Sequence, residues 1–219
     1  MREKIIKSVI DEKLIVIVRG VKKDDLIPLA EAMYLGGVRL LEITFSANGS
    51  TSDEETADNI RMLAEHFDGR MLIGAGTVLN ERQVCLTAEA GGRFIISPDV
   101  NEAVIKKTRE LGLVSMPGAL TPTEIQTAHK AGADFIKLFP CDAFGTGYIK
   151  AVSAPLSHVR LLAVGGVNLD NIPDFLRAGV YGFGMGSNIV NKKMVENGDF
   201  EAITALAKKH VDLIKELTK

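Results

Sequence analysis

Lys137 stands in the run Phe135-Ile136-Lys137-Leu138-Phe139-Pro140, which otherwise reads as a fully buried β-strand. Stripping water from an ammonium is costly, so burial favours the neutral amine. A neutral amine attacks carbonyl carbon and forms a Schiff base. A lysine that snorkels from a strand end, or pairs with a carboxylate, would leave the same trace in this run alone. Two further charged residues interrupt interior-type apolar runs, Arg19 and Glu42. Glu42 shares a strand face with Leu40 and Thr44 by the period of two. A Schiff base turns its substrate into an electron sink, and protons must then move at carbon and oxygen. One carboxylate within water-bridged reach of the lysine is the least such chemistry needs. Simple pairing with Lys137 or Arg19 is the other role open to Glu42. The three groups sum to +1 when ionised, which suits an anionic ligand.

Two glycine-rich turns add a second kind of site. Gly165-Gly166-Val167-Asn168 follows one apolar run and opens a helix, and Gly186-Ser187 follows the next. Bare backbone N–H groups at such turns can cradle a phosphate. Tight turns that need glycine only for backbone conformation are the plainer reading.

These residues need a scaffold, and the chain supplies a repeated unit. A helical pattern ends in glycine and an apolar run follows at once. The copies are clearest at Leu35-Gly36-Gly37-Val38, Ala90-Gly91-Gly92-Arg93, Leu111-Gly112-Leu113, Ala131-Gly132-Ala133 and Ala178-Gly179-Val180. Glycine just past a helix is the left-handed cap that lets the chain turn directly into a strand. Apolar runs start near Leu14, Val38, Arg70, Arg93, Leu113, Phe135, Arg160 and Gly182, with a helical pattern in each gap. Thr121-Pro122-Thr123-Glu124 reads as a capping box with proline at the first helical position, and Asn80 and Asn101 as caps of two more helices. Alternating strands and helices with continuous apolar strands mean a parallel sheet covered by helices. Eight copies fit a closed (β/α)₈ TIM barrel over residues 1–219 as one domain. An extra N-terminal helix (about 2–12) would plug or flank the barrel foot, and a last helix (about 199–218) would close the structure. An open doubly wound sheet is the alternative, but no Gly-x-Gly-x-x-Gly turn follows the first strand.

In a barrel of this kind the site lies at the C-terminal strand ends. Arg19, Glu42, Thr77, Pro98, Lys137, Phe139, Gly165, Gly166 and Ser187 all fall at or near such ends. The net charge of −2 gives no reason to expect nucleic acid or an acidic membrane surface as partner. Two cysteines, Cys85 and Cys141, make no disulfide framework, and Cys141 reads as a small core filler. No leader-like apolar segment follows Met1, and no apolar run is long enough for a membrane span. A cytoplasmic protein is expected. His66, His129, His158 and His210 lack metal-ligand spacing and read as solvent-facing, so no metal is expected.

Five segments carry a resemblance when taken together and in order. They are Gly36-Gly37-Val38-Arg39-Leu40-Leu41-Glu42-Ile43-Thr44, Ile73-Gly74-Ala75-Gly76-Thr77-Val78-Leu79, Ile96-Ser97-Pro98, Phe135-Ile136-Lys137-Leu138-Phe139-Pro140 and Ala163-Val164-Gly165-Gly166-Val167. The chain resembles the 2-keto-3-deoxy-6-phosphogluconate (KDPG) aldolase family, which includes the 6-phosphogalactonate and 4-hydroxy-2-oxoglutarate (KHG) aldolases. The resemblance runs from about Leu14 to Val190. It implies a class I aldolase on a (β/α)₈ barrel, commonly a homotrimer, with Lys137 as Schiff-base lysine and Glu42 as general base. It also implies Thr77 on the pyruvate side, Gly165, Gly166 and Ser187 at a phosphate, and no cofactor. Phe139 and Pro98 would wall the pocket. Many gluconate-type members carry an arginine where this chain has Ser46. Here Arg19 would hold the substrate carboxylate instead, an arrangement similar to the galactonate-type members. The implied reaction is reversible cleavage of a 2-keto-3-deoxy-6-phospho sugar acid to pyruvate and glyceraldehyde 3-phosphate. The preferred sugar acid is left open between gluconate and galactonate types, and 4-hydroxy-2-oxoglutarate is a further candidate. Two rivals stand beside this reading: a phosphate-binding barrel that decarboxylates or epimerises without an imine, and a non-catalytic sugar-phosphate binding protein.

Overall fold

Helices and strands alternate along residues 1–219 of the computed structural model. The strands are β1 (Leu14–Val18), β2 (Leu40–Thr44), β3 (Leu72–Gly76), β4 (Phe94–Ile96), β5 (Val114–Met116), β6 (Gly118–Ala119), β7 (Ile136–Leu138), β8 (Leu161–Val164) and β9 (Gly182–Met185). All pairings are parallel, in the order β5-β4-β3-β2-β1-β9-β8-β7-β6. The two ends of that order, β5 and β6, are neighbours in the chain across Pro117, and this junction closes the ring. The fold is therefore the expected TIM-like barrel, and the open doubly wound alternative is excluded. Eight strands were expected and nine segments are found, because the fifth is split. Proline has no N–H to give the ladder, while Pro117 still accepts from Lys137 N–H at 2.9 Å. Gly118 then runs against the β4 end, where a methyl group would meet the Pro98 carbonyl carbon at 2.5 Å.

The strands are buried on both faces because each face meets a different core. Val16, Leu41, Ile73, Ile95, Ile136 and Ala163 point outward to the helices and belong to the larger apolar cluster. Ile15, Leu40, Phe94, Ile96, Val114, Met116, Phe135 and Leu162 point inward and fill the lumen. This is the period of two written on a closed sheet.

Helix α1 (Arg2–Glu12) settles the plug-or-flank question. Ile5, Ile6 and Val9 are buried and share the lumen cluster, so the helix stoppers the foot of the barrel. Burying each such side chain contributes about 1.5–3 kcal/mol. Arg2 at its start also pairs with Asp134, whose side chain is 3% exposed and accepts the Ser115 N–H at 3.0 Å.

The other helices lie between strands and are started by the residues the sequence marks. In α6 (Pro122–Ala131) both halves of the Thr121–Glu124 capping box form. Asn80 caps α4 (Glu81–Glu89), and Asn101 caps α5 (Glu102–Glu110). The five expected glycine turns into strands all adopt positive φ, at Gly37, Gly91, Gly112, Gly132 and Gly179. The last helix, α10 (Phe200–Leu217), packs on α2 (Lys23–Leu35). It also corrects one expectation: His210 is buried, with Nδ1 2.8 Å from the Leu206 carbonyl oxygen. It lies on the helix face of Ile203, Ala207 and Ile214. No helix is long and apolar enough to cross a membrane.

Candidate active site

Two charged side chains enter the lumen above its apolar filling. Glu42 on β2 is 2% exposed and Lys137 on β7 is 8% exposed. Both lie on inward-facing positions, two residues beyond Leu40 and Phe135 respectively. They make no direct ion pair within 4.0 Å. Lys137 Nζ sits 4.7 Å from the centre of the Phe139 ring. Glu42 Oε2 is buried without a hydrogen-bond partner.

Burial shifts both groups toward neutrality. The Lys137 ammonium falls below the ordinary lysine range, chiefly through desolvation; Glu42 opposes that shift and Arg19 adds to it. The Glu42 carboxyl rises above the ordinary carboxylate range, again chiefly through desolvation, against the attraction of Lys137 and Arg19.

Arg19 follows β1 directly and is exposed at the mouth. Its Nη2 donates to Thr77 Oγ1 at 3.4 Å. Thr77 follows β3 and adopts φ of 55°, an unusual backbone for a β-branched residue. Such strain costs about 1–3 kcal/mol and clusters at functional sites. Arg19, Thr44, Ser46, Asn48 and Ser50 border a cavity of about 350 Å³ between the loops after β1 and β2. Ser46 does not reach outward as an arginine would. Its hydroxyl bonds Asn48 Oδ1 at 2.7 Å and accepts the Ser50 N–H at 3.0 Å, knitting its own loop together.

The two glycine turns meet at the same mouth. Gly165 and Gly166 after β8 have φ of 95° and 68°, a pair of backbone conformations that other residues rarely adopt. Asn188, next to Ser187 after β9, donates to the Val167 carbonyl and ties the two turns together. The helix expected to open at Asn168 begins later, as the short α8 (Ile172–Arg177), after a turn in which Asn171 donates to Gly166 O at 2.8 Å. Pro98 and Phe139 are exposed at the rim. All nine candidate residues thus lie at the C-terminal end of the barrel. Cys141 is a buried filler whose Sγ donates to Gly165 O at 2.9 Å, and burial pushes its thiol up to about 12.

Three features escaped the sequence reading. Gly76, at the inward end of β3, is the space in which the Glu42 side chain lies: a methyl group there would sit 2.6 Å from Glu42 Cγ and nearer still to its carboxyl group. Gly74 does the same for Phe94, whose Cγ would be 2.5 Å away. The alternating glycines of Gly74-Ala75-Gly76 were the available signal. Asp142 is the third, packed on Gly166 so that a methyl there would meet its Cγ at 2.5 Å. It sets a carboxylate beside the second glycine of the turn after β8.

The KDPG and KHG aldolase family model matches residues 5–206. The 2-dehydro-3-deoxy-phosphogluconate aldolase of Haemophilus influenzae is 31% identical over 97% of this chain and 98% of its own length. The 2-dehydro-3-deoxy-6-phosphogalactonate aldolase of Escherichia coli is 36% identical over 80% of this chain and 83% of its own. A crystal structure of KDPG aldolase from Legionella pneumophila, with pyruvate captured as a covalent carbinolamine intermediate, superimposes with a TM-score of 0.83. That protein is 28% identical, and the match covers 93% of this chain and 96% of the other. Fold and relatives together define a carbon–carbon lyase, an aldolase built on a parallel α/β barrel. The chain belongs to the KDPG and KHG aldolase family.

Proposed function

We propose that this aldolase works through a Schiff base on Lys137 and cleaves 2-keto-3-deoxy-6-phospho sugar acids to pyruvate and glyceraldehyde 3-phosphate. The observation that carries the reading is the pair of buried, oppositely charged side chains in the lumen, each moved by desolvation toward its neutral form. The Lys137 amine adds to the C2 ketone, and loss of water gives the iminium. Glu42, through one water, takes the C4 hydroxyl proton as the C3–C4 bond breaks. The bonding electrons pass into the iminium and leave an enamine. Glu42 returns a proton to C3, and hydrolysis frees pyruvate and the amine. Arg19 and Thr77 hold the carboxylate, while Pro98 and Phe139 wall the pocket. The turns at Gly165, Gly166 and Ser187 hold the phosphate through backbone N–H groups. No step calls for a metal or an organic cofactor.

Arg19 beside Thr77, with Ser46 turned into its own loop, favours a galactonate-type substrate over a gluconate-type one; 4-hydroxy-2-oxoglutarate, lacking the phosphate, is the weaker third. A panel of the three substrates ranks them by kcat/KM. We extend the proposal to a homotrimer working in the cytoplasm, and sedimentation velocity checks the assembly. The central test is borohydride reduction in the presence of pyruvate. One pyruvyl adduct on Lys137, absent in Lys137→Ala together with turnover, is the expected result. An adduct on another lysine, or turnover without any trapped imine, rejects the Schiff-base reading and leaves the acid–base barrel in its place.

A further inference from the structure

The foot of the barrel holds a second polar cavity, at the end opposite the Lys137 site. Its volume is about 330 Å³, and its lining includes Arg2, Arg109, His129, Asp134, His158 and Arg160. These residues come from five parts of the chain: α1, α5, α6, the approach to β7 and the approach to β8.

The charge in this lining is unbalanced. Asp134 is its one carboxylate, and both Arg2 and Arg109 already pair with it. Three guanidiniums face one carboxylate in the lining; Glu3, just outside it, also pairs with Arg2 at 3.3 Å, so the side chains here carry a local excess of about one positive charge, centred on the unpaired Arg160. Arg160 makes no ion pair. Its guanidinium carbon lies 5.6 Å from the centre of the Phe135 ring. A guanidinium stacked on a ring keeps the N–H donors of its edge available. His129 and His158 meet edge to face, with ring centroids 4.8 Å apart, and neither ring nitrogen bonds a protein group. Unpaired donors of one sign in a concave site focus a field that attracts anions.

We propose that this cavity binds a phosphate dianion, either free or as the phosphoryl group of a small metabolite. The size lies at the small end of ligand pockets, which span about 300–1,000 Å³. A transition metal fits poorly, because three guanidiniums surround the two imidazoles and no third His, Cys, Asp or Glu converges with them. A bound dianion would bridge the plug helix, through Arg2, to the helices and strand ends around it. The site is independent of the aldol chemistry at the other end of the barrel.

The chain has four histidines, which makes the ring-proton NMR spectrum a direct readout. Inorganic phosphate should shift the His129 and His158 resonances in a saturable way at constant pH. Sodium chloride at matched ionic strength should not. His66, paired with Glu31, and His210, buried on α10, serve as internal references. Arg160→Gln should weaken the phosphate midpoint by about 10- to 150-fold, the loss expected for one charged hydrogen bond. Aldol cleavage should be unchanged in that variant. His158→Gln, at an exposed position, gives a second test: the midpoint should weaken while His129 still responds. Glycerol 3-phosphate separates the sources. A midpoint at least tenfold tighter than that of phosphate assigns the site to a phosphoryl metabolite, and an equal one assigns it to the free ion. An equal response to chloride, movement of all four histidines together, or an unchanged midpoint in both variants overturns the proposal.

Discussion

Gly76→Ala tests whether the seat of Glu42 matters, and it does so without substituting either proposed catalytic group. Gly76 has an ordinary strand backbone, so alanine brings no conformational penalty of its own. The added methyl group would lie 2.6 Å from Glu42 Cγ, where ordinary van der Waals contact begins near 3.4 Å. The Glu42 side chain must therefore move by about 1 Å or more. A displacement of that size at a reacting group costs roughly 10²-fold in rate, and complete loss of a general base costs about 10²–10⁴-fold. We expect kcat for cleavage to fall by at least about 10²-fold. Overpacking should also cost about 1–3 kcal/mol, which lowers Tm by roughly 2–12 °C for a chain of this size. Lys137 itself is not displaced by the methyl group, so borohydride trapping with pyruvate should persist. Gly74→Ala is the matched control, because its methyl group would strike Phe94 instead. It should lower Tm and leave the ratio of cleavage to trapping near that of the parent. A Gly76→Ala protein that cleaves at near-normal rate, or loses trapping and cleavage in equal measure, would refute the argument that β3 makes room for a working base.

Glu42→Gln should retain imine formation while cleavage drops about 10²–10⁴-fold, measured by single-turnover kinetics beside adduct mass spectrometry; near-normal turnover would mean that another base serves. Arg19→Ala should weaken pyruvate binding by roughly 10- to 150-fold, from loss of a charged hydrogen bond of about 1.5–3 kcal/mol. An effect confined to phosphorylated substrates would place Arg19 at the other end of the ligand. Burial lowers the His210 imidazole below its ordinary value near 6.5, against the Leu206 carbonyl bond that raises it. The unfolded chain therefore takes up this proton first, so the stabilising contribution of neutral His210 is complete above pH 6.5 and is lost as pH falls below it. Urea unfolding of His210→Asn across pH 5–8 should show a flatter acid limb than the parent; an identical limb would contradict the assignment.

Much of this was legible because barrels repeat. The glycine turns at Gly37, Gly91, Gly112, Gly132 and Gly179 each mark a helix end, and the caps at Asn80, Asn101 and Thr121 mark three starts. Glu42 and Lys137 stand out because a charge within an apolar strand is costly unless the fold uses it; Arg19, which the apolar run suggests is interior, instead lies just past β1 and is exposed. The split at Pro117 is written in the sequence too, as a residue unable to donate to the ladder, although the apolar run from Leu113 looks continuous across it. His210 was misplaced because a lone histidine looks polar, although its spacing from Ile203, Ala207 and Ile214 sets it on the apolar stripe of α10. The fit of Glu42 against Gly76 could not be read locally. It depends on the β2–β3 register, in which Glu42 pairs with Gly74 and Thr44 with Gly76. The φ of Thr77 and the basic lining at the foot likewise arise only when distant segments meet.

The stopper formed by α1 fixes the traffic of the reaction. With Ile5, Ile6 and Val9 sealing one end and Phe94, Met116, Phe135 and Leu162 filling the lumen below Lys137, the barrel is a blind well with a single doorway. On the proposed Schiff-base mechanism the fragment tethered to Lys137 sits deepest, so the aldehyde departs before pyruvate is released. In the synthetic direction the order reverses: pyruvate enters first, and an aldehyde that arrives early only blocks its path. Product-inhibition patterns should therefore be those of a compulsory sequence, with pyruvate competitive against the sugar acid and the aldehyde noncompetitive.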